Sequence, residues 1–310
     1  MSEGQLKSFL YTEEEKQAIW KELGVTESGL KQGVENILEW FEKQPHLSGA
    51  MIDKMMVEKL IILSKGSVEI AKERVDCLYK YRSLAPELIQ DREQVLRNPD
   101  MKLFELFTKI SVPKLYEGKR ICAFQVEPGV LEIDTQDFYK KGFMIFDLRL
   151  KFDYWLSDIW VIDAQNVTAG LILAVKLNLL KKASQISIQG LKWRVHAVHM
   201  INVPFSPSIT QYLLKFFTQF ASSMVLGRIT IHDSLESLHK HIPQQYLPSD
   251  FGGTNPSLKQ IGENFEKELS DQKLIDFLLE CSKMISDNSK RPQGEDTEEL
   301  AGSFRRLEFD

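Results

Sequence analysis

The chain has 310 residues, 43% hydrophobic and 27% charged, with a formal net charge of -5 and a pI near 5.8. It is long enough to bury a substantial core, and its acidic balance argues against nucleic acid as a partner, which calls for a basic surface. Three widely spaced cysteines, Cys77, Cys122 and Cys281, form no CxxC pair, which argues against a disulfide framework or zinc site and suits a reducing compartment.

The opening residues, MSEGQLKSFLYTEEEKQ, have no basic segment followed by an apolar run, and no stretch of about 18 apolar residues occurs, so a cytoplasmic chain is expected. From Thr12 to about Arg97 apolar residues recur at helical spacing: Ile19, Trp20 and Leu23, then Val34, Ile37, Leu38 and Phe41, then Ile52, Met55, Met56 and Leu60. Pro45, Gly49 and Gly66 separate these helices, and a last long one is expected from about Val68 to Ser83, ahead of Pro86. After RNPD the pattern changes. KRICAFQVEPG, SDIWVIDAQN, RVHAVHMINVP and GRITIHDS read as four strands. Helices are expected at Thr135–Phe152, Leu171–Ala183, Ile209–Val225 and Ser234–His241, then from Ser257 to Met284. Strands alternating with helices predict an α/β fold around a mostly parallel sheet. The composition of SDNSKRPQGEDTEELAG is that of a mobile tail.

No GxSxG, HExxH, GxxxxGK[ST] or strand-linked GxGxxG motif occurs, so no enzyme and no cofactor are expected. His196 and His199 fall three apart on one strand and so on opposite faces, which is poor metal-ligand spacing. The unusual feature is apolar bulk. YLLKFFTQFASSM, Tyr212–Met224, has one charge, Lys215, in thirteen residues; DFYKKGFMIFDLRL has Phe138, Phe143, Ile145 and Phe146, and GLILAVKLNLL is nearly uncharged. Such helices either fill an ordinary core or, with the sheet, enclose an elongated apolar cavity.

LYKYRSLAPELIQDRE (78–93), SDIWVIDAQN (157–166), RVHAVHMINVP (194–204) and IPQQYLPSDFGGT (242–254) resemble the CRAL-TRIO lipid-binding family, nearest its α-tocopherol-transfer and retinaldehyde-binding branch and its insect members. The likeness covers about Ala18 to Leu269, and the closing GSFRRLEFD also resembles insect members. It implies an N-terminal helical bundle (1–97), a CRAL-TRIO α/β sandwich with a five-stranded, mostly parallel sheet and a mobile gate helix (98–270), and a C-terminal helix and tail (271–310). It further implies an intracellular carrier that moves a small hydrophobic lipid, such as a tocopherol, retinoid or carotenoid, between membranes through transient peripheral contact. The alternative it allows is a phospholipid- or phosphoinositide-binding transfer or adaptor protein.

By the same resemblance, Tyr139, Phe143 and Phe146 form one pocket wall, and Trp160, Ile162, Val198 and Met200 the sheet floor. Val175, Leu179 and Ile186 form another side, while Leu213, Phe217 and Phe220 belong to the gate. Arg194 and Arg228 match two positions of the basic cluster with which tocopherol-transfer members bind phosphoinositide head groups. His196, Met224 and Ile62 stand where relatives carry basic residues, and Asn166 replaces a glycine after the second strand.

Overall fold

A computed structural model of the chain describes residues 6–97, 110–130, 134–204 and 227–292. The expected gate, with Leu213, Phe217 and Phe220, lies outside the described residues, as do Met224 and the 293–310 tail.

The N-terminal region is helical because each apolar run starts at a side chain that caps it. Thr12 accepts from the Glu15 backbone N–H while Glu15 accepts from that of Thr12, a reciprocal pair that starts α1 (Glu13–Leu23). Thr26, Asp53 and Ser67 start α2 (Glu27–Glu42), α3 (Lys54–Leu63) and α4 (Val68–Ser83) by accepting from backbone N–H groups of the first turn, without the reciprocal bond. The short helices α5 (Pro86–Ile89) and α6 (Glu93–Arg97) follow. Asp53 also links distant elements, since its Oδ2 takes Lys151 Nζ at 2.8 Å and so ties α3 to α7 (Thr135–Phe152).

Five strands form one sheet in the order β1-β2-β3-β4-β5. They are β1 (Ile110–Tyr116), β2 (Lys119–Gln125), β3 (Ser157–Asp163), β4 (Val195–Ile201) and β5 (Ile229–Ile231). Only β1–β2 is antiparallel. Four of these strands were expected. The first was not read, because Pro113 interrupts its alternation; the ladder breaks register between Ser111 and Leu115, as an edge strand tolerates. α7 covers the residues expected of it. The single helix expected over 171–183 is instead two, α8 (Ala169–Ala174) and α9 (Leu177–Gln185), because Val175 takes extended backbone at φ -67, ψ 120. α9 then runs into a π-helical turn, Ile186–Gly190, packed against α4. The long C-terminal run is likewise divided, into α11 (Leu258–Leu269) and α12 (Gln272–Glu280), after a short α10 (Leu235–His239).

Two faces of the sheet pack differently. One face, with Ile121, Ala123, Ile159 and Val161, is sealed by Leu238, Ile242, Leu247, Phe251, Leu258 and Ile261. The turn LPSDFGG closes this layer: a Cβ on Gly253 would sit 1.9 Å from the Leu247 carbonyl oxygen, so only glycine lets the loop fold back there. Behind the other face, α1–α5 share one continuous core with α7, α9, α11 and α12. Buried ion pairs lock it. Asp147 on α7 accepts from Arg82 at 2.7 and 3.2 Å and from Arg92 at 2.7 Å, while Arg82 and Arg92 also donate to the carbonyls of Cys281 and Leu278.

Candidate functional site

The site is built on the centre of the sheet. On β3 the side chains alternate, so Trp160 and Ile162 point away from the sealed face that holds Ile159 and Val161. Parallel register sets Trp160 beside Val198 and Ile162 beside Met200. The four expected floor residues therefore form one cluster, joined by Val195, Ala164, Val167, Ile172 and Ile229. Coverage is uneven: Ile159 and Val161 are buried, whereas Trp160, Ile162 and the β2 neighbour Phe124 are only partly covered, although β3 is the central strand.

The expected walls fall in a different cluster. Tyr139, Phe143, Phe146, Leu179 and Ile186 belong to the large helical core, and Val175 lies partly buried at the α8–α9 break. What joins wall to floor is Trp193, which packs on both clusters. Its ring lies 5.0 Å from Phe146 and 6.1 Å from Trp160 between centroids. Sequence reasoning missed it. The only signal was a bulky aromatic, in LKWRV, just ahead of a strand.

Trp193 is held by a buried charge relay. Its indole N–H donates to Asp158 Oδ2 at 2.7 Å, and Asp158 takes both Arg149 Nη groups at 2.9 and 2.7 Å. Arg149 also reaches Asp153 at 3.0 Å and lies over the Trp155 ring at 4.2 Å. Burial works against the Arg149 charge, but Asp158 and Asp153 outweigh it and its pKa rises. Asp153 would likewise be raised by burial, yet Arg120 and Arg149 hold it below the usual range.

The two expected basic positions have different surroundings. Arg228 donates from Nη1 to the Val195 carbonyl. Arg194 lines a narrow cleft, of about 10 Å³, with Leu63, Arg74, Phe146, Trp155, Leu156, Leu191 and Trp193. Arg74, on α4, was not singled out in the sequence, where it reads as an ordinary exposed helical cation. It is 4% exposed and donates once, from Nη2 to the Leu63 carbonyl at 2.9 Å; its Nε has no partner. Among the described residues no carboxylate pairs with it. Burial, and secondarily Arg194, pull its pKa down to about 10. Ile62, which the resemblance set against a basic position, is buried in the bundle.

Three of the histidines that crowd the C-terminal half of the sequence, His199, His232 and His241, meet beside β4 and β5. His199 Nδ1 and His232 Nε2 share a hydrogen bond of 2.9 Å, His232 Nδ1 pairs with Ser237 Oγ at 2.9 Å, and His241 stacks at 5.3 Å from both rings. Burial, then His232, His241 and His196, drive the His199 pKa down to about 4; burial and His241 lower that of His232. Among the described residues no group of three His, Cys, Asp or Glu could hold a metal. Asn166, expected to accept a left-handed turn, is not at positive φ; its Nδ2 donates to the Val126 carbonyl at 2.8 Å.

Residues 154–253, which include the floor, α8, α9, Trp193 and the histidines, match the CRAL/TRIO domain. That segment is a CRAL/TRIO domain, about a third of the chain. The chain is similar over part of its length to two curated relatives, both named alpha-tocopherol transfer protein-like. The Mus musculus protein is 31% identical over 108 residues, 34% of this chain and 30% of that protein; the Homo sapiens protein is 32% identical over 77 residues, 24% and 22%. The matched stretch thus spans less than a third of those relatives. A crystal structure of Sfh5 superposes with a TM-score of 0.44 at 12% identity, covering 86% of this chain and all of that one. Arg74, Tyr139, Phe143 and Phe146 lie outside the CRAL-TRIO match, so the candidate site draws on both the matched segment and the helices before it. Among the described residues no helix is long and apolar enough to cross a membrane.

Proposed function

We propose that this CRAL-TRIO protein is a carrier that binds one small hydrophobic lipid between the sheet floor of Trp160, Ile162, Val198 and Met200 and the helices bearing Tyr139, Phe143, Phe146, Val175, Leu179 and Ile186, and passes it between membranes. The observation that carries the reading is the unequal packing of β3: one face sealed, the other left partly uncovered by large apolar side chains at the centre of the sheet. A protein interior is otherwise close-packed, and an apolar recess with few polar groups is what a lipid occupies. At roughly 25 cal/mol per Å², burying about 300 Å² of lipid supplies ~7 kcal/mol, enough to hold a molecule that water rejects. Release then needs a second apolar phase. In this proposal Leu213, Phe217 and Phe220 form the gate and enter the bilayer interface as the lipid leaves, an assignment that rests on sequence alone.

The test is uptake of fluorescent tocopherol and retinoid analogues by the purified chain and their movement from donor to acceptor vesicles. Saturable 1:1 uptake with protein-dependent transfer supports the carrier; no uptake of either analogue contradicts it.

One observation favours an anionic phospholipid as docking partner: the buried Arg74 guanidinium beside Arg194, which has no counter-charge among the described residues. An anionic head group would supply it. Vesicle binding that rises with phosphoinositide content and falls in Arg74→Met supports this reading; binding indifferent to both contradicts it.

A further inference from the structure

We infer that the indole N–H of Trp160 is the polar anchor of the lipid pocket, so that the cargo is a lipid with an oxygen acceptor (a carbonyl, hydroxyl or ether) and not a plain hydrocarbon. The inference rests on the carrier reading and names the class of its ligand. Trp160 Nε1 is buried and has no hydrogen-bond partner. Two other indoles of the chain show what such a group ordinarily obtains: Trp193 donates to Asp158 at 2.7 Å, and Trp20 donates to the Tyr154 hydroxyl. An indole N–H can only donate, and leaving it unmet inside a protein is costly. The cost persists only where something else offsets it or where a ligand removes it.

The donor is held in place. Phe124 meets the Trp160 ring edge-on at 5.4 Å between centroids, and Trp193 stands nearly perpendicular, at 88°, 6.1 Å away. Trp193 is itself fixed by Asp158, so the indole cannot swing freely to seek an acceptor. Water is a poor substitute. The described cluster around it, Ala164, Val195, Val198, Met200 and Ile162, is apolar, so a lone water would gain no second side-chain partner from these residues where it needs two to four in all. A lipid oxygen needs only the one. The same residue lies on the partly covered face of the central strand, where the cargo is proposed to rest.

The experiment compares two matched pairs by quenching of protein fluorescence or by competition: all-trans-retinal against axerophtene, the same polyene with a methyl in place of the oxygen function, and phytol against phytane. Wild-type protein is expected to bind the oxygenated member about tenfold more tightly, the worth of one hydrogen bond in a dry site. Trp160→Phe is expected to bring the two members within about twofold while melting at or above the wild-type temperature, since it deletes an unmet donor. Should that variant fail to fold, the ¹⁵N-labelled indole signal of Trp160 in the wild type serves instead: it should move downfield with retinal and not with axerophtene. Equal affinity within each pair, a preference that survives Trp160→Phe, or an unmoved indole signal would overturn the anchor while leaving the carrier intact. Failure of all four probes to bind would overturn the carrier reading and the anchor with it.

Discussion

Replacing Asp158 by leucine tests how the buried charged groups support Trp193 and, through it, the proposed pocket. The carboxylate accepts two bonds from Arg149, at 2.9 and 2.7 Å, and one from the Trp193 indole at 2.7 Å. All three bonds go to a charged carboxylate and contribute roughly 1.5–3 kcal/mol each, so together they reach about 5–9 kcal/mol. Arg149 keeps Asp153, at 3.0 Å, which returns part of that loss. The expected net cost is about 3–5 kcal/mol, the range for stranding one partner of a buried pair. Urea unfolding should show the midpoint falling with the slope unchanged. Lipid affinity should fall as well, because Trp193 loses the bond that sets its ring between Phe146 and Trp160. The milder Asp158→Asn keeps one acceptor and should fall between. A cost below about 1 kcal/mol with unchanged affinity would refute the argument that this pair positions the pocket.

Three further outcomes follow from the same structure. Arg74→Met is expected to stabilise the fold by about 1–3 kcal/mol, because it removes a buried charge with no counter-ion, while lowering affinity for phosphoinositide vesicles; calorimetry beside vesicle sedimentation checks both. The histidine cluster makes the fold acid-sensitive. His199 and His232 have folded pKa values below the unfolded 6.5, so the unfolded state gains protons first; stability is intact above about pH 6.5 and declines as pH falls towards about 4. His199→Gln should flatten urea midpoints across that window, whereas an unchanged slope would remove the cluster as its cause. Gly253→Ala should cost at least about 1–3 kcal/mol in thermal unfolding, since its methyl would overlap the Leu247 carbonyl; a neutral result would mean the loop is free to shift.

Much of the fold was legible because local signals and tertiary context agreed. α7 begins at the Asp134 cap and keeps helical apolar spacing to Phe152, and β2, β3 and β4 carry dense β-branched and aromatic runs. β1 escaped notice because Pro113 removes a donor and breaks alternation, a defect that an edge strand accepts. The α8–α9 break left no mark in hydropathy, since GLILAVKLNLL is apolar on both sides of it. The floor was readable because alternation alone puts Trp160 and Ile162 on one face. Trp193, Arg74 and the His199–His232 pair were not: each gains its role from a partner more than 30 residues away in sequence, and no local pattern encodes such a meeting.

The central claim is that the space over Trp160 and Ile162 holds a lipid. Native mass spectrometry of the full chain, first as purified and then after exposure to mixed lipid vesicles, tests it most directly. The expected result is a 1:1 complex with an oxygen-bearing lipid of a few hundred daltons, much diminished in Ile162→Trp, which fills the floor. A protein that stays free of lipid under both conditions, or a complex that Ile162→Trp leaves untouched in a folded variant, would contradict the account.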